Sequence, residues 1–127
     1  MSSTPTIVSL YDQLGGQAAV DIAVDIFYRK VLTDDRVSSF FDGVDMDRQI
    51  AKQKAFLTMV LGGPSNYSGK DLRAGHAHLV KRGLNDSHVD VIIGLLGQTL
   101  GELGVAEPLI QQVAALAEST RNDVLSR

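Results

Sequence analysis

The sequence predicts a single all-α domain. Three observations carry this. Apolar residues recur at three- and four-residue spacing along most of the chain, no segment alternates polar and apolar for long, and the breaks between periodic stretches are Gly-Gly pairs or acidic caps. At 127 residues the chain is long enough for one real core and too short for two.

The elements follow in order. Residues 1–8 read as a flexible N-terminal extension, ahead of one domain over 9–127. "SLYDQL" forms a short helix opened by Ser9 and closed by Gly15-Gly16. A longer helix follows, with Val20, Val24, Phe27, Tyr28 and Val31 on one face, until "TDD" breaks it and a short turn carries Phe40-Phe41. Asp45 caps "MDRQIAKQKAFLTMVL", which Gly62-Gly63-Pro64 ends. "SNYSG" is loop. Another helix runs from Asp71 to about Lys81, with Gly83 past its end. Asn85 or Asp86 opens the next, which runs to about Leu103 before Gly104. The last helix starts at Glu107-Pro108 and continues to about Leu125, because proline is tolerated in a first turn where its missing N–H leaves no bond unmade.

Composition narrows the function. The net charge is −3 and no Lys/Arg run occurs, which argues against nucleic acid or an anionic membrane as partner. There is no cysteine, so disulfides, thiolate zinc sites and Cys nucleophiles are all excluded. The N-terminus lacks a basic segment followed by an apolar core, and the longest apolar stretch, "VDVIIGLLGQTL", is too short to span a bilayer. A monomer in the cytoplasm is the expectation.

"DLRAGHAHLV" holds two of the three histidines. At roughly 100° per residue, Leu72, His76, Leu79 and Val80 share an arc of about 100°, while His78 points almost the opposite way. His76 is therefore the inward one. Two roles suit it: a core residue bonded to a backbone carbonyl, or a metal ligand. His88 lies beside the helix caps Asn85, Asp86 and Ser87 and reads as structural. Three histidines without cysteine make a closed tetrahedral zinc site a poor fit. A lone inward histidine suits a metal that brings its own equatorial ligands, as haem iron does.

Such a site needs an apolar slot with polar groups on the far side. The helix after Asp45 supplies Phe56, Leu57 and Val60 on its apolar stripe, and Gln49 and Gln53 lie on the same stripe. Inward amides must find partners or cost roughly 1–3 kcal/mol each. The alternatives are a buried glutamine network or a ligand-facing pair, and Tyr28, inward beside Phe27, favours the second. Tyr28, Gln49 and Gln53 together could donate to a diatomic ligand. Phe27, Phe40, Phe41 and Phe56 are all the chain's phenylalanines, suited to line a ring or to fill ordinary core. Lys52 stands at the edge of this face, as a solvated charge, a propionate partner or, with its charge lost on burial, a sixth iron ligand.

These residues carry a resemblance. "LYDQLGG", "FYRKVLTDDRV", "FFDGVDM", "QIAKQKAF", "LGGP", "LRAGHAHLV" and "NDVLSR", in this order and spacing, resemble the group I truncated haemoglobins over roughly residues 9 to 126, the cyanobacterial members especially. The resemblance implies a two-over-two helical sandwich enclosing a haem b, with His76 as proximal ligand. It implies Tyr28, Gln49 and Gln53 on the distal side and Phe41 and Phe56 against the ring; Phe27, Phe40, Leu57 and Leu79 are further candidates to line the cofactor, and Arg73 and Lys52 are candidates to meet its propionates. Some relatives carry a histidine at the position of Lys52 that binds iron, and another near the C-terminus that links covalently to the haem. Here Lys52 and, near the second place, Thr120 stand instead, so the haem is expected to be non-covalent.

The expected activity is reversible binding of oxygen, and of carbon monoxide and nitric oxide, at that iron. Two other readings stay open. One is nitric oxide dioxygenation, which needs a separate reductase; the other is a six-coordinate redox protein with Lys52 on iron. The reading of a different class is a haem-free helical interaction module, in which Tyr28, Gln49 and Gln53 form a structural polar network.

Overall fold

A computed structural model of the chain describes residues 10–63 and 69–127. The expected N-terminal extension, the cap Ser9, Pro64 and the greater part of "SNYSG" lie outside the described residues. Among the described residues, seven α-helices and one 3-10 turn follow in order: α1 (Leu10–Leu14), α2 (Gly16–Thr33), the 3-10 turn (Ser38–Phe41), α3 (Met46–Val60), α4 (Gly69–Lys81), α5 (Asp86–Glu102), α6 (Glu107–Glu118) and α7 (Arg121–Val124). No strand occurs among the described residues, so the all-α expectation holds.

The caps expected at Asp45 and Asn85 form. The Asp45 carboxylate accepts from the Arg48 N–H, satisfying one of the orphan donors at the start of α3. Asn85 caps α5 by accepting from the Ser87 N–H at 3.0 Å, and the Asn85 N–H donates to His88 Nδ1 at 3.0 Å. His88 is thus structural, as its position suggested. Gly62 takes a left-handed φ of 84° after α3, and Gly83 one of 102° after α4, conformations that cost other residues a steric penalty.

The expected single last helix is not what forms. It stops at Glu118 and resumes as the four-residue α7. The Ser119 and Thr120 hydroxyls donate to the carbonyls of Leu116 and Ala117, so side chains compete there for the acceptors a continuing helix would use. α4 also begins two residues before the expected Asp71.

α2 packs on α3 and α5 packs on α6, and α2 also lies against α5, so two helix pairs are stacked on one another. Their shared core includes Val24, Val31, Leu57, Leu95, Leu100 and Val113. α1 is pinned to the end of α3 by the Tyr11 N–H, which donates to the Leu61 carbonyl at 2.9 Å. α4 stands apart from both pairs and packs most extensively against α7. A slot opens on its inner face.

Candidate functional site

The slot is a cavity of ≈ 120 Å³ that opens to solvent at its mouth. α2 contributes Phe27 and Tyr28, the 3-10 turn Phe40 and Phe41, and α3 Gln49, Gln53 and Phe56. α4 contributes Leu72, His76 and Leu79. The structure therefore brings together the residues that helical spacing had placed inward.

Lys52 is exposed but stands at the mouth, where it lines a shared recess with Gln49, Gln53, Phe56 and His76. Leu57 belongs to the closed core rather than to the slot wall, because it faces α2 within the α2–α3 pair. Arg73 is directed at α7: its Nε donates to Asp123 at 3.3 Å and its Nη2 to the Arg127 carbonyl.

His76 is half-buried and its Nδ1 lies 2.8 Å from the Leu72 carbonyl oxygen. A carbonyl can only accept, so Nδ1 carries the proton and Nε2 keeps its lone pair. The bond to a backbone carbonyl, one of the two roles open to this histidine, is made at Nδ1, and Nε2 remains for the other. Burial holds its pKa below the ordinary value; the Leu72 carbonyl opposes this, and the charges of His78 and Lys52 add to it. This favours the neutral imidazole, the state a metal requires. His78 itself is exposed.

On the α2–α3 side Gln49 Nε2 donates to the Tyr28 hydroxyl at 3.2 Å. The Tyr28 ring is held edge-on between Phe27 and Phe41, with centroids 5.8 and 5.7 Å away. The donor set is thus one neutral imidazole nitrogen and a hydroxyl–amide group, in otherwise apolar walls. That chemistry fits a planar apolar macrocycle whose metal takes one protein ligand and leaves an opposite position free.

Several lining residues were not singled out from sequence as slot residues. Val89, Ile92, Ile93 and Leu96 of α5 face the slot, as do Ala117, Thr120 and Val124. The α5 set recurs at helical spacing and was legible as buried, but which part of the interior it bordered was not. Thr120 and Val124 reach the slot only because the chain breaks at Ser119.

An all-helical stack around an apolar slot with one available imidazole defines a globin-like haem protein. Residues 9–126 match the bacterial-like globin family. Among curated relatives, a group 1 truncated haemoglobin of Tetrahymena thermophila is 44% identical over 127 residues, covering 100% of both chains. The group 1 truncated haemoglobin GlbN of Synechocystis sp. is 49% identical over 122 residues, 94% of this chain and 98% of that one. Among solved structures, the 2/2 haemoglobin of Synechococcus sp. PCC 7002, in its cyanomet state with covalently attached haem, superposes with a TM-score of 0.88. It is 47% identical and the match covers 94% of this chain and 100% of that one. The chain belongs to the bacterial-like globin family, a haem-binding family, among the group 1 truncated haemoglobins.

Proposed function

We propose that this chain binds one haem b non-covalently through His76 Nε2 and holds oxygen reversibly on the opposite side, beside Tyr28, Gln49 and Gln53. The observation that carries the reading is the commitment of His76 Nδ1 to the Leu72 carbonyl, which leaves Nε2 to a slot that also contains the hydrogen-bonded Tyr28–Gln49 pair. The haem supplies an iron able to take a diatomic gas. The chain does the rest. Phe27, Phe40, Phe41, Phe56 and Leu79 keep water from the macrocycle, and Leu57 backs them from the core. Lys52, at the mouth, is placed to pair with a propionate.

Thr120 supports non-covalent attachment. It lines the slot with a hydroxyl already donated to the Ala117 carbonyl, and a hydroxyl is a far weaker nucleophile than an imidazole.

The test is the visible spectrum of protein expressed with ample haem, ferric and ferrous, with and without carbon monoxide. A Soret band that shifts with carbon monoxide in the wild type and is lost in His76→Ala is expected. Folded protein that takes up no haemin would leave the helical interaction module standing.

Lys52 favours a second reading, because it shares the mouth recess with His76. If its amine ligates iron, the ligand-free spectra are low-spin and become high-spin in Lys52→Ala. Unchanged spectra in that variant would dispose of a six-coordinate redox role. Nitric oxide would enter the same site as oxygen, and dioxygenation to nitrate would need electrons from a separate reductase. Steady turnover with a reductant, beyond a single mixing event, is its test.

A further inference from the structure

α4 carries His76 yet is held differently from the other long helices. Its inner face borders the slot, and its most extensive packing is with the short α7. A helix with a cavity on one side lacks the interdigitated side chains that resist tilting elsewhere. Two arginines bracket it instead. One turn before His76, Arg73 donates to the Asp123 carboxylate at 3.3 Å and to the Arg127 carbonyl. Just past the helix's end, Arg82 Nη2 donates to the Ser39 carbonyl at 2.9 Å and Nη1 to the Phe40 carbonyl at 3.3 Å. Its guanidinium lies 5.7 Å from the Phe40 ring centroid.

The Arg73 tie rests on a prepared surface. Ser126 adopts a left-handed φ of 58°, unusual for a residue with a Cβ, and this lets the Arg127 N–H return to the Asn122 carbonyl at 2.8 Å. The Arg127 guanidinium and Arg121 both reach Asp86 at the start of α5. α7 is thus fixed to α5 on one side while Arg73 fixes α4 to α7 on the other.

We propose that Arg73 and Arg82 are positioning residues for His76: by tying the two ends of α4 to α7 and to the 3-10 turn, they set the angle at which the imidazole meets the cofactor. This rests on the haem reading above. Both arginines are exposed, and exposed ion pairs add little to global stability. Their effect falls on the one helix whose small displacements reach the iron ligand directly.

The experiment compares haemin-loaded wild type with Arg73→Gln, Asp123→Asn and Arg82→Gln. Haem transfer to excess apomyoglobin is expected to accelerate about two- to fivefold in each, the upper part of the range that loss of a single exposed charged contact spans. The Arg73→Gln/Asp123→Asn double variant should transfer no faster than the faster single, because one contact is removed twice. In a Lys52→Ala background, so that no lysine competes for iron, the ferrous iron–histidine stretching band should broaden or shift in the same variants. A purely structural role would leave that band in place.

Direct contact between Arg73 and a haem propionate predicts something different. Asp123→Asn would then be silent, and the Arg73→Gln effect would vanish with dimethyl-ester haem; either result overturns the Arg73 tie. An unmoved band in Arg82→Gln overturns the other. Failure of the wild type to take up haemin at all would overturn the haem reading, and this inference with it.

Discussion

Tyr28 is set in place before any ligand arrives. Its ring sits edge-on between Phe27 and Phe41, and its hydroxyl oxygen accepts from Gln49. That oxygen accepts from an amide, and a phenolic hydroxyl can donate as well; a donor to a ligand carrying partial negative charge makes the stronger kind of hydrogen bond. Tyr28→Phe keeps the ring contacts and deletes the hydroxyl, both its O–H donor and the acceptor that Gln49 uses. Hydrogen bonds to charged groups are worth about 1.5–3 kcal/mol, so oxygen dissociation measured by stopped flow should quicken about tenfold or more. Carbon monoxide, which carries less charge, should respond far less. An oxygen off-rate unmoved by Tyr28→Phe would remove the distal hydrogen bond from the account. Gln53→Leu tests the other amide in the same way.

At the scale of elements, the connections leave no spare room. Gly63 shows this. A Cβ there would stand 2.5 Å from Tyr11 Cδ1 and 2.8 Å from Cε1, and these are ring atoms whose neighbour, the Tyr11 N–H, is already bonded to Leu61. The ring cannot swing aside as a flexible chain end could. Gly63→Ala is therefore expected to cost about 1–3 kcal/mol, read as a lower urea midpoint with an unchanged slope.

The turn after α2 makes a pH-dependent prediction. The Arg36 guanidinium bonded to Asp34, with help from the Arg36 amide, lowers the Asp34 carboxyl from 3.8 to about 2. A carboxylate with a depressed folded pKa contributes stability that is complete above 3.8 and is lost as pH falls through about 2. Asp34→Asn should therefore lie below wild type at neutral pH and converge with it in acid. Parallel curves down to pH 2 would refute the coupling. These devices were legible where the rule is local: Asp45, Asn85, Gly62 and Gly83 do what their residue types predict within one turn of chain. The break at Ser119 was not, because a hydroxyl near a helix end is compatible with continuing and with stopping, and only the packing of α7 on α4 decides. For the same reason His76, Gln49 and Gln53 were visible as inward, while the contribution of α5 and α7 to the slot, and the engagement of Arg73 with Asp123, depend on residues far apart in sequence.

For the whole molecule, the slot means that the core is not complete in the polypeptide alone. Phe41, Phe56, Leu79 and Ile92 are only half-buried, although each lines the interior space where a globular domain would ordinarily close on itself. Filling that space removes their apolar surface from water, so the cofactor acts as a structural part as well as a functional one. A ligand present at 100 times its dissociation constant adds about 2.7 kcal/mol to the folded state. For a domain of this size that corresponds to a rise in Tm of about 10 °C. Haemin added to apo protein should produce at least this shift, measured by circular dichroism at 222 nm. His76→Ala should show a much smaller shift while its apo Tm stays close to wild type, because the imidazole is only half-buried and its loss opens little new cavity. Equal shifts in the two proteins would mean that haemin binds by burial alone, without His76. A wild-type apo protein already unmoved by haemin would mean that the slot is part of a finished core.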